Sequence, residues 1–159
     1  MEQSNRYLIL GNGGHASVIK DLVAKRNGSI VHVFNDDKEY DDSFGPELPL
    51  IIAIGNNVTR RKIAEKIKHS MPVLIHPSAQ LAADVVPGEG TIILANAVIQ
   101  AGAKIGRHCL VNANVVIDHD AEVGDFVTIY PNVYIGGAAC ISDLITIDPG
   151  TIISRMQKV

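Results

Sequence analysis

From residue 75 onward an aliphatic side chain returns at every sixth place: Ile75, Leu81, Ile93, Ile99, Ile105, Val111, Ile117, Val123, Ile129, Ile135, Ile141, Ile147 and Ile153, with Pro87 breaking the series. Four places after most of these stands a small or β-branched residue: Ala97, Ala103, Cys109, Val115, Ala121, Val127, Val133, Ala139 and Ile145. Six residues make about 1.67 turns of α-helix, which would smear both sets around the cylinder, and plain strand alternation carries no six-residue punctuation. A solenoid of short strands places both sets inside, and the hexapeptide period is a parallel β-helix signature. Each hexad is then one face, roughly 20 Å long at about 3.3 Å per residue, and one corner. Gly88, Gly106 and Gly124 recur at three times the hexad, which predicts three faces per coil and a little under five coils. With no Cβ, that glycine column is expected to turn a corner at positive φ.

Before residue 72 the pattern is different. "RYLILG" reads as a buried strand, "HASVIKDLVAKRN" as a helix ending near Gly28, and "SIVHVF" as a second strand. After the acidic loop "NDDKEYDDSFGPELP" come a third strand, "LIIAIG", and a helix over "NVTRRKIAEKIKHS". Right-handed crossovers make this a small parallel, Rossmann-like sheet. The fold class is therefore an α/β domain over residues 1–71 followed by a β-helix over 72–159.

Composition narrows the classes of function. The core must be built from Ile, Val, Leu and Ala, because aromatics are 4% of 159 residues and Trp is absent. A net charge of -3 with both signs scattered offers no basic stripe to nucleic acid and no polybasic segment to a membrane surface. No stretch approaches 18 apolar residues, and the N-terminus has no cleavage-like site, so a cytoplasmic protein without a membrane span is expected. Cys109 and Cys140 lack CxxC spacing and are expected as free thiols.

Three stretches carry chemistry. "GNGGH", Gly11 to His15, joins the first strand to the first helix, where amide N–H groups and the positive helix end can hold a phosphate. Asp36 follows at the distance at which an acid can bond a ribose hydroxyl. Asn56 and Asn57 come after the third strand, where they serve either a ligand or the helix N-cap, and Gly55 before them allows close ligand approach. In "IDHD", Ile117 fixes the inward phase, so His119 projects from the coil near a corner. Neutral imidazole is poised to take a proton near neutral pH, with Asp118 or Asp120 placed to raise its basicity and fix its tautomer.

Taken together, "GNGGH", "NDD", "IAIGNN" with "RRKIA", "LIHPSA" and "IDHD" resemble the bacterial sugar acetyltransferases of the left-handed β-helix, hexapeptide-repeat superfamily. The likeness is greatest to the N-acetyltransferases of nucleotide-linked 4-amino-sugars, with sialic-acid O-acetyltransferases as relatives. The resemblance implies left-handed coils, a homotrimer, acetyl-CoA as acetyl donor, no metal, and transfer to the amine of a nucleotide-linked amino sugar for surface glycans. It implies that Gly13, Gly14 and His15 face the diphosphate and that Asp36 or Asp37 meets the base or ribose. It also puts the catalytic base at His119, its orienting acid at Asp120, and Asn112 and Gly137 near the thioester, where a backbone N–H can stabilise an oxyanion.

Two departures from the family pattern leave other readings open. Thr128 stands where the family commonly has a second His near the acetyl carbonyl. The sequence stops at "TIISRMQKV", earlier than relatives that continue for further coils, with Arg155 and Lys158 as gatekeepers of an open edge. The alternatives are a nucleotide-sugar-binding or assembly protein of reduced activity, and a sugar O-acetyltransferase. A zinc-dependent β-helix carbonic anhydrase fits poorly, since His108 and His119 are eleven apart with no short His pair.

Overall fold

The computed structural model describes residues 5–159, which divide into two compact units at the boundary between Pro72 and Val73. In the first, β1 (Arg6–Leu10), β2 (Ser29–Phe34) and β3 (Leu50–Ile52) form a parallel sheet in the order β2-β1-β3. β1 is the central strand, and its Leu8, Ile9 and Leu10 form an unbroken apolar run at 0% exposure, the pattern of a parallel strand covered on both faces. Helix α1 (Gly14–Lys25) buries Ala16, Ile19, Leu22 and Val23, the stripe that a 3.6-residue period brings to one face. Leu8, Leu10, Leu50, Ile52, Phe34 and Ile63 form one cluster.

Helix α2 spans Asn57–Ala64, shorter than the pattern through residue 70 suggests. Beyond Glu65 the ladder tightens, with Lys66 and Ile67 donating to Ile63 and Ala64 three residues back. Competing partners then take over. The Tyr40 hydroxyl accepts from the Lys68 amide and bonds His69 Nδ1, while the Ser70 carbonyl accepts from Leu50.

The second unit is the expected three-sided parallel β-helix of two-residue strands. One face stacks β5 (Gln80–Leu81), β7 (Val98–Ile99), β10 (Val116–Ile117), β13 (Tyr134–Ile135) and β16 (Ile152–Ile153). The next holds β8 (Lys104–Ile105), β11 (Glu122–Val123) and β14 (Cys140–Ile141). The third stacks β4 (Leu74–Ile75), β6 (Ile92–Ile93), β9 (Leu110–Val111), β12 (Thr128–Ile129) and β15 (Thr146–Ile147). Pairing is always eighteen residues apart, as in Ile99 with Ile117 and Ile117 with Ile135. Both predicted inward sets line the core, from Ile93 to Ile153 and from Ala97 to Ala139, with Ile75, Leu81 and Ile145 packed against it. Each fully buried Ile or Val contributes about 1.5–3 kcal/mol. No strand forms around Pro87, which lies on the second face ahead of β8, where a residue without an N–H loses little.

The corners differ from expectation. Gly88, Gly106 and Gly124 do not have positive φ; that conformation falls two places later and recurs at every sixth residue from Gly90 to Met156, mostly in residues with side chains. Asn96, His108, Asn114, Asp120, Phe126, Asn132, Ala138 and Leu144 all adopt it, at a cost of about 1 kcal/mol or more for each. The amide at such a corner donates to the preceding coil, His108 to Glu89, Asp120 to Ala101, Phe126 to Arg107 and Leu144 to Asp125, and this ladder holds the strained turns. The glycine column is required instead by close approach. A Cβ on Gly106 would lie 2.5 Å from both the Gly124 carbonyl oxygen and Asp125 Oδ1. Asp125 Oδ1 itself accepts from the Arg107 amide at 2.8 Å, and Asp143 Oδ1 from the Asp125 amide at 2.7 Å.

Gly106→Ala is therefore expected to lower the stability of the solenoid by about 1–3 kcal/mol, read as a lower urea midpoint by far-ultraviolet circular dichroism. An unchanged midpoint would mean that the coils can part at this corner.

Candidate active site

His119 follows β10 and opens the turn into β11. Four contacts fix it. Its amide donates to Asp118 Oδ1 at 2.7 Å, and its carbonyl accepts from the Ala138 amide of the next coil at 3.0 Å. Its Nδ1 bonds Asp120 Oδ2 at 2.8 Å, while its Nε2 lies over Gly137, where a Cβ would come within 2.9 Å of it. Asp120 reaches the ring because it occupies the positive-φ corner position, φ 58°, which turns its carboxylate back toward the residue before it. Of the two acids, Asp120 is thus the partner of the ring and Asp118 that of the backbone.

The eighteen-residue stacking explains why the ring fits against the next coil. Residue 137 is the equivalent of residue 119 one coil further, and residue 101 the equivalent one coil before; they are Gly and Ala. With Gly136, Gly137 and Ala138 in succession, the coil above the imidazole is nearly stripped of side chains. The side chain of His119 stays 49% exposed. Asp118 is held below its ordinary acidity range chiefly by the His119 amide and then by the Tyr134 hydroxyl, so it is ionised wherever the imidazole is neutral.

Asn112 and Thr128 lie elsewhere in the chain. Thr128 sits in β12 on the third face and is buried at 4% exposure. Asn112, after β9 at the end of that face, donates its side-chain amide to the Ile129 carbonyl at 2.7 Å. Within one chain these two residues belong to a different face and corner from His119 and Gly137.

In the first unit, Gly13 is the N-cap of α1 and makes no side-chain cap, the first turn carries no acid, and Cβ positions on Gly13 and Gly14 would meet open space. His15 has a buried Nε2 with no hydrogen-bond partner. Burial, and then the positive charge of Arg60, hold its imidazole below the ordinary 6.5. Arg60, which the sequence reading did not single out, is 1% exposed and donates to the carbonyls of Ile54 and Gly55. Its position was legible in the helical period, since Asn57, Arg60 and Ile63 mark the buried face of α2.

The other predicted residues have local partners. Asn56 is the N-cap of α2, its side chain accepting from the Thr59 amide at 2.9 Å. Asp36 accepts from the amides of Lys38 and Glu39, and Asp37 pairs with Lys66 at 2.7 Å. The polar side chains that join the ends of β1 and β2 are Asn12, Asn35, Lys20 and Glu39 instead, linked by bonds of 2.8–3.1 Å. Among the described residues no group of three or more His, Cys, Asp or Glu is placed to hold a metal ion.

Residues 88–119 and 102–137 match the model of the bacterial transferase hexapeptide (six repeats), and residues 6–67 that of the PglD N-terminal domain. The chain is a hexapeptide-repeat protein with a PglD-type N-terminal domain. This hexapeptide-repeat protein is homologous to UDP-N-acetylbacillosamine N-acetyltransferase of Bacillus subtilis, 33% identical over 108 residues, or 55% of this chain. The match spans half of that relative's length. Its fold is similar to the acetyltransferase domain of PglB from Neisseria gonorrhoeae in complex with acetyl coenzyme A, with a TM-score of 0.77, 27% identity, and coverage of 98% of this chain and 96% of that one. A variant of perosamine N-acetyltransferase from Caulobacter crescentus, in complex with CoA and GDP-perosamine, has a TM-score of 0.73 and 28% identity, covering 94% of this chain and 82% of that one.

Because His15 resists protonation in the folded state while the unfolded chain takes up a proton near 6.5, the fold loses stability as pH falls below that value. Thermal midpoints between pH 7.5 and 5.5 should fall, and His15→Gln should flatten that slope. An identical slope in the variant would mean that His15 titrates normally.

Proposed function

We propose that the protein transfers an acetyl group from acetyl-CoA to the amine of a nucleotide-linked amino sugar, with His119 as general base. One observation carries this reading: an exposed imidazole oriented by Asp120 at 2.8 Å with its other nitrogen over a glycine. When bound, acetyl-CoA supplies the activated acetyl thioester. Hydrogen bonding of Nδ1 to Asp120 leaves Nε2 as the acceptor, so His119 takes the proton the amine loses as it attacks, and the carboxylate stabilises the resulting imidazolium. Glycine at 137 makes room for the imidazole itself, since any Cβ there would press on the ring. On the nucleotide side, the start of α1 at Gly13 and Gly14, with His15, is suited to the diphosphate. Gly55, Asn56 and the loop bearing Asp36 and Asp37 lie with it at the carboxyl ends of the strands, where ligands collect in open parallel sheets. We place the reaction in the cytoplasm, the compartment that supplies acetyl-CoA.

His119→Ala should reduce turnover by about 10²–10⁴-fold, followed as thiol release from acetyl-CoA across a panel of nucleotide-linked amino sugars. Full turnover in the variant would sink the proposed base. The binding-only reading is favoured by Thr128 and Asn112, one buried and the other bonded to its own solenoid. Calorimetry decides between the two: nucleotide-sugar binding without acetyl-CoA binding supports a binding protein.

We also propose a homotrimer. Val98, Val116, Tyr134 and Ile152 form an outward row across four coils, with Ile152 74% exposed. An apolar row of this kind is what a second copy would cover. Light scattering is expected to give three times the 17.0 kDa chain mass, and Val98→Lys to reduce it. A wild-type mass of one chain would exclude the assembly.

A further inference from the structure

Tyr134 belongs to no motif in the sequence, yet it reaches the proposed base through one intermediary. It pairs with Val116 one coil below, so its ring stands in the outward row while its hydroxyl extends past Val116 toward the corner. There the hydroxyl donates to Asp118 Oδ2 at 2.9 Å, while Asp118 Oδ1 holds the His119 amide at 2.7 Å. Both oxygens of Asp118 are therefore engaged, one by the coil above and the other by the backbone of the proposed base.

We propose that Tyr134 is a positioning residue for His119, locking Asp118 in the orientation that grips the His119 backbone and tempering the negative charge that Asp118 directs at the imidazole. This rests on the acetyl-transfer reading for its consequence in catalysis, but not for its effect on the imidazole itself. A carboxylate oxygen that accepts a strong donor shares its charge with that donor and has less to offer a neighbouring cation. The Tyr134 phenol is correspondingly pushed up by Asp118, and Asp118 pulled down in part by the phenol.

The other charges facing this corner are known. Asp120 bonds the ring, Arg155 from two coils above lowers Asp118, and Lys104 on the adjoining face is raised mainly by Glu122 and, more weakly, by Asp120. Asp84, one coil below Gly102, accepts from the Gly102 amide at 2.7 Å. Tyr134 binds the Asp118 oxygen that the His119 backbone leaves open.

The test compares Tyr134→Phe, which keeps the ring in the apolar row, with Asp118→Asn. The His119 imidazole is titrated by nuclear magnetic resonance in each, its signal assigned by its loss in His119→Asn. The His119 titration should move up in pH in Tyr134→Phe, because the Asp118 carboxylate no longer shares its charge with the phenol, and down in Asp118→Asn. If the transferase reading holds, the acidic limb of kcat moves up in pH by the same amount in Tyr134→Phe, with the KM for acetyl-CoA unchanged. An unaltered His119 titration in Tyr134→Phe, or a shift in the same direction as Asp118→Asn, overturns the inference. Absence of acetyl transfer in the wild-type protein would instead overturn the functional reading, and the titration would still decide the role of Tyr134.

Discussion

The structure depends on one alignment, the stacking of each residue upon the residue eighteen places further along. In that register the inward aliphatic side chains touch their own kind above and below, and the strands form three parallel ladders. The same register places the strained corners in a fourth set of bonds, from the amide of each positive-φ residue to a carbonyl of the preceding coil. These bonds are non-local, so no single hexad is stable alone. The strain at Phe126 or Leu144 is borne because neighbouring coils hold both ends of the turn.

That alignment also makes the site. An imidazole on a flat protein surface is free to rotate, whereas His119 is held at its amide by Asp118, at its carbonyl by Ala138 and at its ring by Asp120. Two of these partners exist only because of the corner. Asp120 takes φ 58° as the corner residue, and Ala138 is the corner residue of the next coil. Room for the ring arises from the same arithmetic, because the residue stacked on His119 is Gly137 and a Cβ there would meet the imidazole. A side chain at that one position would close the ring off. The first unit holds its polar groups by another route, with β1 ending at the start of α1 and a buried Arg60 bonded to carbonyls beyond the end of β3.

Much of this was legible from residue types. The hexad identified the β-helix and both inward sets, and the alternation before residue 72 identified the parallel sheet. The glycine column was seen, but its cause was misassigned. Spacing shows that three glycines stack and does not distinguish a positive φ from a place where a Cβ would come within 3 Å of the next coil. Helix α2 was overextended because its sequence carries no breaker through Ile67; the ending comes from Tyr40 and Leu50, which are distant in the chain. Asn56 illustrates a different limit, since a cap and a ligand donor use the same side chain, and only the bond to Thr59 separates them.

What the sequence by itself determined is the period, and hence which side chains face inward and that His119 faces outward. Periodicity is a property of one chain direction, and burying an aliphatic side chain at every sixth place admits few shapes. Which partner each polar group takes was decided only by tertiary structure. Asp118 and Asp120 are equivalent neighbours of His119 in the sequence, and they diverge because the corner turns one carboxylate onto the ring and leaves the other to the backbone and Tyr134. Hydrogen bonds reach only about 3 Å and depend on angle, so they are settled by the final positions of coils brought together from eighteen residues apart.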